Sequence, residues 1–245
     1  HPRANCTLIC LVNDMQSKSK TSAMASRLII AFAVVVVGLA ALVAVRPPGG
    51  RSLGLRGALS WQAYLASSAF KAVADSGRVK GQSQGSFTNI IFLHHSVGYN
   101  LIDQGGVRER FRQAGYSFWD HDYNSVGLRD ASGKPAGYTY NVPDDNTDPD
   151  GLARLFAQPV SPYPLNALSG LLQHQVIIFK SCFAPANHIS SDEQLAQYTS
   201  YYLGIRAVLD KHPDKIFILV SSPPLNPADT NAAQAARARD LANWL

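Results

Sequence analysis

The chain has 245 residues, of which 46% are hydrophobic and 16% charged, with a net charge of +5. That length supports one sizeable core, and the balance excludes a disordered chain. Lys18, Lys20, Arg27, Arg46, Arg51 and Arg56 precede residue 60 and meet one acid, Asp14, so the remainder is close to neutral. With no basic stripe interleaved with aromatics, nucleic acid is not an expected partner.

Residues 1–23 read as a doubtful leader and are set aside from the fold. Cys6 and Cys10 fall within them. That leaves Cys182 alone and no internal disulfide framework. Residues 24–46 open with "MASR" and continue in the apolar run "LIIAFAVVVVGLAALVAV", which "RPPGG" stops. An unbroken apolar helix of that length is either a cleaved signal peptide, with "LVA" as its cleavage site, or a membrane anchor. Residues 47–86 hold "LSWQAYLASSAFKAVADSG", whose Trp61, Leu65 and Phe70 fall near one helical face, and then the flexible-looking "GRVKGQSQGS". The folded domain is expected over 87–245.

From Phe87 strands and helices alternate. "FTNIIFLHH" reads as a buried strand, and "NLIDQGGVRERFRQAG" as helical in its second half, stopping at Gly115. "YSFWDHDYN" makes a second strand. "VGLRDASGKPAGYTYNVPDDNTDPDG" is too rich in Gly, Pro and Asp to be regular. "LARLFAQ" and "PLNALSGLLQHQ" look helical, and "VIIFKSC" is a buried strand. "SDEQLAQYTSYYLGIRAVLDKHP" is a helix that Ser191 can cap, "KIFILVSSPPL" a further strand, and "DTNAAQAARARDLANWL" a final helix. This alternation predicts an α/β fold with a mostly parallel sheet and helices on both faces. Ligands of such folds bind beyond the carboxyl ends of the strands.

The three strongest strands end in "HHSVG", "KSCFAPAN" and "SSPPLN". A serine between the last strand residue and a glycine-containing turn projects its hydroxyl at the top of the sheet. The amides of the turn make an oxyanion environment beside it. Ser96 holds that place. His94 and His95 alternate sides, so at most one faces the site, and neither is well placed to take the Ser96 proton.

"FLHHSVG" resembles the first block of the SGNH (GDSL-like) hydrolases, in which a serine follows the first strand. The resemblance implies a flavodoxin-like three-layer α/β/α fold and ester hydrolysis through a covalent acyl-enzyme, with Ser96 as nucleophile and no cofactor. The oxyanion glycine carries over to Gly127, with Asn124 as a competing side-chain donor. The third block carries over to Ser181, Cys182 or Asn187. His95 stands where the family usually has aspartate. The family's Asp-x-x-His motif has no counterpart at a strand exit: Asp210 and His212 in "LDKHP" precede a strand, at the opposite edge of the sheet. The sheet is therefore expected to lack its last strand in this sequence, and the chain to lack its usual base. Loss of one member of such a triad removes several powers of ten in rate.

The substrate implied is an ester-bearing small molecule, lipid or polysaccharide, met outside the cytoplasm by a secreted or membrane-anchored protein. Two other classes stay open. "WDHDYN" with His94 or His95 suggests a metal-dependent hydrolase. The aromatic residues between Phe111 and Phe156 suggest a non-catalytic carbohydrate- or partner-binding domain. Asp144, Asn146, Asp148 and Asp150 alternate as calcium ligands do, but the spacing brings no bidentate Glu, and an Asx-rich turn explains them. Cys182 reads as a buried thiol rather than a nucleophile.

Overall fold

The computed structural model describes residues 54–122, 127–143, 148–182 and 188–245. The chain divides into two units, His1–Ser60 and Trp61–Leu245. The apolar run over 28–45 lies outside the described residues. No helix of the described residues is long and apolar enough to cross a membrane.

The elements follow in order. Helix α1 (Gly54–Gly81) precedes β1 (Asn89–His94), α2 (Ser96–Asp103), α3 (Val107–Gln113), β2 (Ser117–Asp122) and β3 (Leu128–Arg129). After them come α4 (Pro149–Phe156), α5 (Ala167–Leu171), β4 (Val176–Phe179), α6 (Asp192–Leu209), β5 (Ile216–Leu219) and α7 (Ala232–Trp244). The strands form one sheet in the order β3-β2-β1-β4-β5. Strands β2, β1, β4 and β5 run parallel, and β3 alone is antiparallel. The fold is therefore α/β with a five-stranded, mostly parallel sheet.

Alternation along the strands sorts the core onto two faces. Ile91, Leu93, Ile177 and Phe179 share one cluster with Ala72 and Val79 of α1, Leu152 and Phe156 of α4, Leu168 of α5, and Tyr202 and Ile205 of α6. Ile90, Phe92, Phe118 and Val176 face the other way, against Ile102 of α2 and Val107 and Phe111 of α3. Helices thus cover both sides of the sheet.

Two sequence expectations shift. The stretch 77–86 is not a loose linker. Its first residues finish α1, Val79 is fully buried, and Gln82 accepts a 2.9 Å hydrogen bond from the Trp119 indole. Helix α1 ends against the sheet because Val79 and Ala72 repeat on its apolar side. Strand β5 is an edge strand, with Ile216 40% and Ile218 43% exposed, although its sequence is as apolar as that of a central strand. The expected cap is in place, with Ser191 accepting from the Gln194 amide at 3.2 Å; Asn231 likewise caps α7, accepting from the Gln234 amide at 2.9 Å.

The amino ends of the strands are locked by buried amides and a histidine. The Gln175 side-chain oxygen accepts from Ser83 Oγ at 2.7 Å, from the Thr88 amide at 2.9 Å and from the Asn89 amide at 3.1 Å. Asn89 donates to the Val79 carbonyl at 2.7 Å and faces His174 Nδ1 at 2.8 Å. The other ring nitrogen of His174 meets Tyr140 Oη at 3.1 Å. Nδ1 donates to the amide oxygen, so Nε2 accepts from the phenol and the ring is neutral. Burial pushes its pKa down to about 3.

Candidate functional site

All four parallel strands present their carboxyl ends at one edge of the sheet. The connections from β1 and β4 leave in opposite directions there, which makes the β1–β4 boundary the switch point where α/β folds bind ligands.

Ser96 stands at that boundary. It is the first residue of α2 and is exposed. His95 caps the helix in an extended conformation, with φ −119° and ψ −168°, and makes no side-chain cap hydrogen bond. The helical ladder starts with the Tyr99 amide on the His95 carbonyl at 3.1 Å. The amides of Ser96, Val97 and Gly98 therefore precede the ladder at the positive end of the helix dipole, beside the Ser96 hydroxyl. Such donors can hold an oxyanion.

The turn is fixed from below. His94 is fully buried, with Nδ1 3.0 Å from the His95 carbonyl and Nε2 3.1 Å from Asp120 Oδ2. Both ring nitrogens are thus engaged. Arg108 of α3 donates to the other Asp120 oxygen, to the Phe118 carbonyl at 2.8 Å and to the Asp130 carbonyl at 3.0 Å. One buried carboxylate thus serves His94 of β1 and Arg108 of α3. Gly98 permits the close seat of α2 on His94: a Cβ there would stand 2.8 Å from His94 Cγ and nearer still to its Cβ. Tyr99, on the same turn, accepts from Arg129 Nη2 at 2.8 Å.

His94 is therefore committed to structure, and His95 is buried at the helix cap. Among the described residues no hydrogen bond joins a histidine to the Ser96 hydroxyl. Gly127 lies past the end of β2, buried, with its carbonyl accepting from the Asp122 amide at 3.4 Å; a Cβ on it would collide with the Asp122 carboxylate. Ser181 is buried on the α6 side, 2.7 Å from Tyr202 Oη. Cys182 is a half-buried free thiol. Asn124 and Asn187 lie outside the described residues. Asp210 caps the carboxyl end of α6 and His212 follows it in the turn before β5, at the edge of the sheet opposite Ser96.

Of the residues that suggested metals, His94 and Asp120 meet each other and the rest are engaged elsewhere. His121 fits between the Asp122 carbonyl, Thr139 Oγ1 at 2.9 Å and the Tyr140 amide, which donates to Nε2 at 3.3 Å. Burial pushes its pKa down to about 4. Asp148 occupies the N-cap position of α4 without a side-chain cap hydrogen bond, and Asp150 pairs with Arg154 at 2.8 Å; Asp144 and Asn146 lie outside the described residues. Among the described residues no group of three or more His, Cys, Asp or Glu side chains is placed to hold a metal ion.

A further residue stands at this edge. Lys180 directly follows β4 and is 1% exposed, with Nζ donating to the Ser181 carbonyl at 2.7 Å. A hollow of about 250 Å³ opens past the end of β5, between Ser222, Pro224, Leu225 and the α7 residues Ala238, Arg239 and Ala242. No protein-family model, curated protein or solved structure matches the chain.

Proposed function

We propose that the chain is a serine-dependent ester hydrolase of the SGNH type that its first strand resembles, with Ser96 as nucleophile. One observation carries this reading: Ser96 is an exposed hydroxyl on the first turn of α2, at the switch point of a parallel sheet, beside amides that precede the helical ladder. A hydroxyl there can attack an ester carbonyl while the amides hold the oxygen that becomes negative. The apolar hollow past β5 opens at the same edge and has room for a short acyl chain.

The proposal extends to a flavodoxin-like sheet, with the parallel strands β2-β1-β4-β5 following the first places of that strand order. It also includes action outside the cytoplasm, on a small, lipid or polysaccharide ester, by a protein secreted or anchored through residues 28–45.

A fluorophosphonate probe tests the reading, because it labels only a serine that can attack and be stabilised as in acyl transfer. Mass spectrometry is expected to find the adduct on Ser96, and S96A to abolish it. A folded chain that takes no label, or takes it equally in S96A, refutes the assignment.

A further inference from the structure

We propose that Lys180 is the general base for Ser96, so that this chain carries its own serine–lysine pair. The proposal rests on the reading of Ser96 as nucleophile and adds the group that activates it.

Position comes first. Strands β1 and β4 are paired up to Leu93 with Phe179. Continued by one residue, that register sets His94 opposite Lys180, and the chains of Ser96 and Cys182 diverge from there at the switch point. Val176, Ile178 and Lys180 alternate onto the α2 side of the sheet, whereas Ile177, Phe179 and Ser181 face α6. The ammonium end bends back onto the Ser181 carbonyl, one residue toward the carboxyl edge. The amine therefore stands near the mouth, on the side of the sheet where α2 begins.

Its surroundings favour a neutral amine. Lys180 has no ion pair among the described residues, and its one hydrogen bond is to a backbone carbonyl. The charged and titratable groups near it are few. Cys182 follows on its own strand, and His94 of β1 is committed to the His95 carbonyl and Asp120. Asp120 in turn is divided between His94 and Arg108. Strand β5 and its exit, from Ile216 to Ser222, contain no titratable side chain. Burial lowers the Lys180 pKa, the nearby Cys182 thiol partly opposing it. A lysine without a counter-charge in such a place is a base rather than a surface cation.

The step balances without a cofactor. The neutral amine takes the Ser96 proton as Oγ bonds to the ester carbonyl carbon, and the carbonyl electron pair moves to the oxygen held by the α2 amides. Collapse breaks the bond to the alkoxide, which leaves with the proton from the Lys180 ammonium. Water then repeats the sequence on the acyl-serine, returning the acid and both side chains.

The test is the rate of fluorophosphonate labelling against pH in the wild type, K180M, K180R and S96A, with folding checked by thermal melts. In the wild type the rate is expected to rise through one ionisation and level off below the ordinary lysine value of 10.5. Arginine cannot give up its proton, so K180R and K180M are both expected to slow roughly 100-fold or more at pH 8, the size of a general-base contribution. Their label is expected to stay on Ser96, with a rate that climbs with hydroxide and shows no plateau. Either variant labelling within about threefold of wild type, with an unchanged profile, overturns Lys180 and leaves Ser96 standing. A wild type as inert as S96A overturns the nucleophile itself. If neither lysine variant folds, the wild-type profile decides, and an absent inflection or one at or above 10.5 refutes the pair.

Discussion

Acid should weaken this fold through His174, and the size of the effect follows from its surroundings. The ring is fully buried between Asn89 and Tyr140, with one nitrogen donating and the other accepting, so the folded protein holds it neutral. An unfolded histidine titrates at 6.5, whereas burial holds the native ring at about 3. Its contribution is complete above pH 6.5 and is lost as pH falls toward the native value, because only the unfolded chain binds the proton in that window. The loss approaches 1.4 kcal/mol per pH unit, which gives about 2 kcal/mol at pH 5 and about 3 kcal/mol at pH 4. Urea unfolding at pH 8, 5 and 4, followed by Trp119 fluorescence, measures it. In H174Q, which keeps a donor toward Asn89 but cannot titrate, the fall in unfolding free energy from pH 8 to pH 5 should shrink by about 2 kcal/mol. A difference between the two proteins below about 0.5 kcal/mol would refute the neutral, buried assignment.

His121, held at about 4 by burial, should behave alike in H121N, with a loss confined to the same acidic side and a gain of about 2 kcal/mol in relative acid tolerance at pH 5. G98A forces a Cβ into His94 and should cost about 1–3 kcal/mol by overpacking, read as a lowered urea midpoint. D120A strands both His94 and Arg108 and should cost about 3–5 kcal/mol in the same assay, whereas mutation of the exposed Glu109–Arg112 pair should be nearly silent. S96A should stay within about 0.5 kcal/mol of wild type, since Ser96 is exposed.

Much of the sheet could be read from local pattern. "NIIFLH", "SFWDHD" and "VIIF" are strands in the structure, and Ser96 falls at the first helical residue after β1, as the run of apolar residues into "HHSVG" implies. Strand "IFIL" was legible as a strand but not as an edge, because position in a sheet is set by the order of partners, not by composition. The long polar excursion hid a core segment. Tyr138, Tyr140 and Val142 alternate into the main cluster, a period-two signal masked by the surrounding Gly and Asp. The Arg108–Asp120–His94 contact joins three elements and leaves no trace in any one of them. Lys180 did leave a trace: a charge on the alternation of Val176 and Ile178 has to be buried or bent away.

The sheet is polarised along its strands. Gln175, Asn89 and His174 tie one end together by side-chain contacts that involve none of the residues around Ser96. Variation at the exit of β5 can therefore proceed without loosening those ties. Libraries that randomise the largely exposed exit of β5, residues 221–225, should return mostly folded proteins, whereas changes at the three anchoring side chains should empty the soluble fraction whatever that exit encodes.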